Sequence, residues 1–196
     1  MSSETDGPRR RSNLRPWMLV PAGFALLILA VFGEKLVENS RDGGLTANDL
    51  PSTLINRPAP DFALDALRGD QPGFSTADLK VPGVKLVNIW ASWCGPCRVE
   101  HPQIEALAAE GITVHGINYK DTSRNAERFL AELGDPYSLI GADESGRIGI
   151  EWGVYGVPET FVIDGDGNVI YKHIGPVLPE HIDEKIRPAI EAASRG

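Results

Sequence analysis

Two cysteines, Cys94 and Cys97, stand in the segment WCGPC with two residues between them, and the 196-residue chain contains no others. A thiolate attacks disulfides, and a second thiol at this spacing can displace the partner that the first has bound, so the pair could perform thiol–disulfide exchange. Cys94 would attack and Cys97 would resolve the mixed disulfide. Pro96 suits the first turn of a helix, where its missing N–H costs nothing. Trp93 would shield the sulfurs and offer a flat contact surface.

The elements predicted around the cysteines are those that would activate a thiol. The β-branched run VKLVNIW, residues 84–90, indicates a buried strand that ends shortly before Cys94. Apolar residues at helical spacing predict a helix over residues 94–109, which Gly111 would end. Cys94 would then face unpaired N–H groups and the positive end of the helix dipole. Such surroundings lower a cysteine pKa from about 8.5 to roughly 3.5–7.5.

Other uses of the cysteines have to be weighed against exchange. A purely stabilising disulfide is possible, but a loop of two intervening residues restrains little of the unfolded chain. Cys94, Cys97 and His101 could together bind copper, although no second CxxC or histidine pair completes a closed metal site. Covalent haem attachment needs a histidine directly after the second cysteine, where Arg98 stands instead. We therefore expect no metal and no other cofactor, with a copper-handling module as the alternative.

The N-terminal part of the sequence predicts export. Residues 17–33 are uncharged and apolar, at the short end of the roughly 17 to 25 residues that span a bilayer. The arginines before them place residues 1–16 in the cytoplasm and the rest of the chain across the membrane. We predict an anchor at 17–33, a linker at 34–56 and one domain at 57–196, although a cleaved signal peptide also fits. The net charge of −8 offers no footprint for nucleic acid.

The order of the remaining predicted elements indicates an α/β fold. A second strand is predicted at 112–119, an amphipathic helix at 123–134, a hairpin from strands at 161–164 and 169–175, and a last helix from Pro179 to Ala193 with a kink at Pro188. This order predicts a central mixed sheet flanked by helices. Ligand chemistry in such sheets gathers at the carboxyl ends of strands, where Cys94 is expected.

Three longer stretches of the sequence, in this order along the chain, indicate a particular family: WCxxCxxEHP at 93–102, GINYKD at 116–121 and GVYGVPETFVID at 153–164. Over roughly residues 57–190 the chain resembles the membrane-anchored thiol:disulfide interchange proteins of cytochrome c maturation, the DsbE/CcmG type of the thioredoxin superfamily. The resemblance implies a thioredoxin-like fold and a single-pass protein of the inner membrane with its catalytic domain in the periplasm. It would reduce disulfides of apocytochrome c, or of its maturation carrier, and be recharged by a membrane electron donor of the DsbD or CcdA type. A less selective periplasmic reductase is the nearest alternative.

Carried over to this sequence, the resemblance assigns roles to individual residues. It makes Cys94 the nucleophile and Cys97 the resolving thiol of a redox-active disulfide. Pro158 would be a cis-proline whose backbone adjoins that disulfide. Val157 and Trp93 would contact the substrate.

Two glutamates match acidic residues that the family places around its active site. Glu159 is expected to contact the substrate, and Glu100 to act in catalysis. Negative charge near the nucleophile opposes its thiolate, so both would favour donation of electrons. Asn88 occupies the position where thioredoxins carry a buried Asp, and an amide cannot accept a proton from Cys97. Glu100, one turn further along the helix, is our hypothesis for the acceptor; an exposed helix glutamate is the other interpretation.

Overall fold

The computed structural model describes residues 27–28, 33–34 and 52–195. The chain divides into two units, residues 1–46 and 47–196, and the described residues of the first unit are helical. Within the described ranges we find no helix with the length and apolarity that a membrane span requires. The predicted cytoplasmic segment at 1–16 and most of the predicted anchor and linker lie outside the described residues and stay predictions.

A six-stranded mixed sheet forms the centre of the second unit. The strands of this unit are, in chain order, β1 (Arg57–Pro58), β2 (Ala63–Leu64), β3 (Phe74–Ser75), β4 (Lys85–Trp90), β5 (Thr113–Tyr119), β6 (Leu139–Asp143), β7 (Glu159–Ile163) and β8 (Asn168–Ile174). The spatial order in the large sheet is β1-β8-β7-β4-β5-β6, and β2 pairs with β3 separately. Strands β4, β5 and β6 run parallel, whereas β7, β8 and β1 join them by antiparallel pairing. The predicted mixed sheet and hairpin are confirmed.

Helices cover the sheet and lead away from strand ends. They are α1 (Thr76–Leu79), α2 (Gly95–Ala109), α3 (Ser123–Leu133), α4 (Arg147–Glu151), α5 (Pro179–His181), a π-helical segment (Ile182–Ile186) and α6 (Arg187–Ala193). The predicted C-terminal helix has the expected extent but not one uniform geometry. Its π-helical segment comes just before Pro188, because proline supplies no N–H for the regular bond to the preceding turn.

Strand β4 is the element that organises the core around the site. All six of its residues are buried, and their alternation divides them between the two faces of the sheet. Val87 and Ile89 pack in an aromatic-rich cluster on one face, whereas Leu86 packs with Ile104 and Leu107 of α2 on the other. Full burial of each such aliphatic side chain contributes about 1.5–3 kcal/mol. The face that α2 covers is therefore also the face toward which Asn88 points.

Candidate active site

The two cysteines form a disulfide at the junction of strand β4 and helix α2, with their Cα atoms 5.3 Å apart. Cys94 is the N-cap of the 15-residue helix, and its Sγ accepts a hydrogen bond of 3.0 Å from the backbone N–H of Cys97. Pro96 lies in the first turn, where its missing N–H has no partner to lose. The predicted place of Cys94, beside free helical N–H groups, is confirmed.

The segment before strand β7 approaches the same sulfur. The peptide bond between Val157 and Pro158 is cis, as the resemblance implied. The carbonyl oxygen of Val157 lies 3.5 Å from Cys94 Sγ. Cys94 itself is only 4% exposed, but the side chain of Trp93 beside it is 59% exposed. The disulfide thus lies just beneath the surface, next to the exposed Trp93 in sequence and in contact with the backbone of Val157.

The loop that carries Trp93 is held by the end of strand β5. The indole Nε1 of Trp93 donates to the carbonyl of Lys120 at 3.0 Å. The carboxylate of Asp121 accepts hydrogen bonds from the backbone N–H of Ser92 at 2.6 Å and from the Asn118 amide at 3.2 Å. Asp121 is the last residue of the stretch GINYKD, and no role was predicted for it from the sequence. The one signal in the sequence was an acidic residue two positions after the end of a strand.

Glu100 lies on the buried face of α2, one turn after Cys97, and is 1% exposed. The interpretation as an exposed helix glutamate is therefore wrong. Its Oε1 accepts a 2.8 Å hydrogen bond from Asn88 Nδ2, and its Oε2 accepts one of 2.8 Å from the backbone N–H of Val177. Burial raises the pKa of this carboxyl from 4.5 to about 7, although both hydrogen bonds favour the ionised form. Glu100 can therefore hold or release a proton near neutral pH.

Asn88 links Glu100 to two further side chains, one on strand β7 and one in the segment before β6. Its Oδ1 accepts a 2.8 Å hydrogen bond from the Tyr137 hydroxyl, and its Nδ2 also reaches Thr160 Oγ1 at 3.0 Å. Sequence reasoning identified Asn88 but had no signal for its two partners, because Tyr137 is 49 and Thr160 72 positions away. Asn88, which stands where thioredoxins carry a buried Asp, is thus part of a hydrogen-bond network around Glu100.

Glu159 does not reach the surface where a substrate contact was expected. It lies within β7, paired on both sides by β4 and β8, and its side chain is fully buried. The ammonium of Lys172 on β8 lies 2.9 Å from Glu159 Oε2, off the line of an ideal hydrogen bond, so the contact is an ion pair. Burial raises the pKa of this carboxyl above its usual range, against the opposing effect of Lys172 and of backbone N–H groups. The negative charge that Glu159 was expected to bring near Cys94 is therefore balanced by the ammonium of Lys172.

This ion pair supports the loop that ends in the cis peptide bond. Glu159 Oε1 accepts the backbone N–H of Tyr155 at 2.9 Å, and Lys172 Nζ donates to the carbonyl of Gly153 at 2.7 Å. The ammonium also lies 4.4 Å from the centre of the Tyr155 ring, which is 60% exposed. Glu159 and Lys172 thus bind the loop from below, and Tyr155 presents its ring to solvent.

His101, the proposed third copper ligand, is engaged elsewhere. Its ring is buried, its Nε2 lies 3.1 Å from the carbonyl oxygen of Gly134, and Phe129 packs edge-on against it. Burial lowers its pKa below the usual range, so the ring is neutral. In the part of the chain that the structure describes, no cluster of three or more His, Cys, Asp or Glu side chains could hold a metal ion. The copper alternative therefore lacks a third ligand here.

Comparison with known proteins identifies the family. Residues 55–187 match the family model described as Redoxin. The chain belongs to the Redoxin family. This Redoxin protein is 47% identical to the thiol:disulfide interchange protein HelX of Rhodobacter capsulatus over 73% of this chain and 81% of that one. It is 42% identical to the thiol:disulfide interchange protein DsbE of Escherichia coli strain K12, over 92% of this chain and 97% of that one.

Solved structures agree with this assignment. The crystal structure of a thiol:disulfide interchange protein of the thioredoxin family from Chlorobium tepidum is similar with a TM-score of 0.54 and 31% identity, covering 68% of this chain and 95% of that one. The predicted thioredoxin-like α/β fold and the resemblance to the DsbE type are confirmed. This Redoxin protein is a thiol–disulfide oxidoreductase.

Proposed function

We propose that this protein reduces disulfides of apocytochrome c, or of its maturation carrier, as a membrane-anchored protein of the periplasm. The observation that carries the proposal is the position of Cys94 Sγ, which caps helix α2 and lies 3.5 Å from the carbonyl oxygen of Val157 in the loop before β7. The similarity to HelX and DsbE, both named thiol:disulfide interchange proteins, supports the same chemistry. The three sequence stretches shared with the cytochrome c maturation type support the substrate.

In the proposed reaction, the Cys94 thiolate attacks one sulfur of the substrate disulfide. The substrate S–S bond breaks, a mixed disulfide with Cys94 forms, and the first substrate sulfur leaves as a thiolate that takes a proton from water. Cys97 then gives its proton to Glu100 and attacks Cys94. The mixed disulfide breaks, the Cys94–Cys97 disulfide forms, and the second substrate sulfur leaves and is protonated. Two electrons pass from the enzyme dithiol to the substrate.

Glu100 is suited to both parts of its proposed role. A carboxyl with a pKa of about 7 is partly ionised at neutral pH and accepts a thiol proton at little cost. Among the ion pairs of residues 52–195, none compensates the charge of Glu100. An uncompensated carboxylate opposes a nearby Cys94 thiolate and favours the oxidised pair, which makes the couple more reducing. About 1.4 kcal/mol of such destabilisation corresponds to roughly 30 mV.

The substrate would dock over the exposed surface around the disulfide. Trp93 supplies an aromatic face on one side of Cys94, and the backbone of Val157 supplies hydrogen-bonding groups on the other. An extended segment of unfolded polypeptide fits such a surface, because it offers free backbone groups and apolar side chains. Glu159 is proposed to act from beneath, by holding the loop before Pro158 through its ion pair with Lys172.

The proposed location follows from the N-terminal sequence. Residues 1–16 would remain in the cytoplasm, 17–33 would cross the inner membrane, 34–56 would act as a tether and 57–196 would form the periplasmic domain. Each reduction leaves the pair oxidised in an oxidising compartment. A membrane electron donor of the DsbD or CcdA type would therefore have to reduce it again.

Substrate trapping tests the proposal. A Cys97→Ala variant cannot resolve the mixed disulfide, so it should retain apocytochrome c or its carrier through a bond that dithiothreitol releases. The matched control lacks both cysteines and should retain neither. Recovery of many unrelated periplasmic proteins without these two would instead indicate a general reductase.

A second variant tests the proton acceptor. Glu100→Gln keeps the side-chain shape but cannot take up the proton of Cys97, so the resolving step should slow at neutral pH. Single-turnover release of a chromogenic thiol from the mixed disulfide measures that step. Equal rates in both proteins from pH 6 to 8 would remove Glu100 from the reaction.

A further inference from the structure

The side-chain amide of Asn88 is enclosed by groups that differ in what they can donate and accept. Asn88 is fully buried. Its Nδ2 contacts Glu100 Oε1 at 2.8 Å and Thr160 Oγ1 at 3.0 Å, while its Oδ1 receives the Tyr137 hydroxyl at 2.8 Å. A hydroxyl both donates and accepts, whereas an ionised carboxylate only accepts. Ionised Glu100 therefore requires a donor from the Asn88 amide, whereas the Thr160 and Tyr137 hydroxyls can either donate to the amide or accept from it.

With Glu100 ionised, the observed arrangement gives each carboxylate oxygen a donor. The backbone N–H of Val177 donates to Oε2 and the Asn88 amide donates to Oε1, so both carboxylate oxygens have a partner. The opposite amide orientation would place Asn88 Oδ1 against a carboxylate oxygen, two acceptors facing each other in a buried site. Ionised Glu100 thus selects the observed orientation.

A proton on Glu100 reverses this preference. The backbone N–H of Val177 occupies Oε2, which leaves Oε1 as the oxygen without a backbone donor; a proton there meets Nδ2 as one donor against another. A half-turn of the amide removes the conflict, because Oδ1 then accepts from the carboxyl O–H. The Thr160 hydroxyl can turn to donate to Oδ1, and the Tyr137 hydroxyl can turn to accept from Nδ2.

We propose that Asn88 is a positioning residue whose side-chain amide turns over each time Glu100 gains or loses its proton. In both states the Glu100 carboxyl and the Asn88 carbonyl oxygen then have hydrogen-bond partners, so the proton never places one donor against another at Oε1. The inference rests on the proposed role of Glu100 as the acceptor of the Cys97 proton. It also gives a reason for an amide at this position: an aspartate could not donate to ionised Glu100.

The surrounding groups allow the turnover without competing for the proton. Tyr137 faces the amide from the segment before β6, and burial raises its pKa well above the usual range, so the phenol stays neutral. His101, next to Glu100 on α2, points to Gly134 and is kept neutral by burial. Cys97, one turn earlier, is in the disulfide when the protein is oxidised. The contacts that β4, β7 and the segment after β8 make within this network come from neutral groups, those of Asn88, Thr160 and Val177.

The Tyr137 hydroxyl is held in place by its ring. The ring stacks on Trp90 with centroids 5.4 Å apart and an interplanar angle of 11°. On β5, Gly116 leaves the space that the ring occupies, since a Cβ there would come within 3.1 Å of it. The hydroxyl therefore stays at the amide in either orientation and needs only to rotate its hydrogen.

Nuclear magnetic resonance of the full-length oxidised protein in detergent tests the turnover. In protein labelled at asparagine and glutamate, the carboxyl carbon of Glu100 reports its protonation and the Asn88 NH2 protons report the orientation of the amide. From pH 5 to 9 the NH2 protons should move from contacts with the Tyr137 ring to contacts with Glu100. Both signals should share one midpoint. An amide that keeps one orientation over this range overturns the inference, whether or not Glu100 titrates.

Two variants separate this inference from the proposed role of Glu100. In Glu100→Gln the amide should hold the low-pH orientation at every pH, because the glutamine NH2 must donate to Asn88 Oδ1; a pH-dependent amide in this variant contradicts the inference. Asn88→Leu keeps the volume without the hydrogen bonds, and should raise the Glu100 midpoint and slow the resolving step about tenfold at pH 7. If Glu100→Gln leaves the resolving step unchanged, the proposed function fails even where the amide turns over.

Discussion

Replacing Glu100 with glutamine should remove a loss of stability that the protein suffers as the pH rises. The folded protein holds the Glu100 carboxyl at a pKa of about 7, whereas the ordinary value is 4.5. Between these values the folded state binds more protons than the unfolded chain, so the free energy of unfolding falls as the pH increases. Below the window both states are protonated, and above it both are ionised and the full loss is present.

The magnitude follows from the width of that window. From 4.5 to about 7, at about 1.4 kcal/mol for each pH unit, the loss amounts to about 3 kcal/mol. Glutamine carries no titrating group, so the Glu100→Gln variant does not suffer this loss of stability. Relative to the unmodified protein, Glu100→Gln should therefore gain about 3 kcal/mol of stability between pH 4.5 and pH 8.

Urea denaturation of the oxidised proteins at a series of pH values measures this difference. The disulfide keeps both cysteines from titrating, so Glu100 is observed without thiol contributions. Buried histidines act in the opposite direction, since burial lowers the pKa of His115 to about 4, but both proteins share them and they cancel in the difference. Glu127→Gln, an exposed position on α3, is the control and should show no such trend. A stability difference for Glu100→Gln that is constant with pH would refute the reasoning.

Three further predictions concern the groups that hold the site. Lys172→Met should destabilise the protein by about 3–5 kcal/mol in urea denaturation, because it leaves the Glu159 carboxylate buried without its cation. Asp121→Ala should cost about 1–3 kcal/mol and slow substrate reduction in stopped-flow assays, because the N–H of Ser92 loses its acceptor. In the reduced protein, alkylation of Cys94 by iodoacetamide should reach half its maximal rate below about pH 8.5, because helical N–H groups stabilise the thiolate.

Control variants test the first two of these predictions, and the alkylation midpoint tests the third. Adding Glu159→Gln to Lys172→Met removes the unpaired charge and should restore much of the stability; a Lys172→Met variant as stable as the unmodified protein contradicts the ion pair. Asp121→Asn keeps one acceptor oxygen and should lie between the unmodified protein and Asp121→Ala. An alkylation midpoint at or above about pH 8.5 would be incompatible with activation of Cys94 by the helix.

Much of the fold could be predicted from local patterns in the sequence. The β-branched run before Cys94 predicted β4, and a cysteine followed by Gly-Pro and apolar residues at helical spacing predicted the start of α2. The hairpin of β7 and β8 was predicted from two apolar runs around a GDGN turn. These features depend on interactions among residues a few positions apart, so the sequence displays them directly.

The polar interior of the site could not be predicted in the same way. A glutamate on an amphipathic helix gives no sign of whether it faces water, and Glu100 became buried because α2 packs on the face of β4 that carries Asn88. Glu159 was expected to contact the substrate, but its strand lies between β4 and β8 and its charge is paired with Lys172. Such contacts depend on which strands become neighbours.

The chemistry can be read from the amino-acid sequence: a single pair of cysteines stands where a strand passes into a helix, in a chain of the thiol:disulfide interchange type. The packing of the folded chain determines that Glu100 can take up a proton and that the charge of Glu159 is balanced by Lys172. Protonation depends on desolvation and on hydrogen-bond partners such as Tyr137, contributed by segments distant in the chain, and both come into existence only when the sheet and its covering helices have packed together.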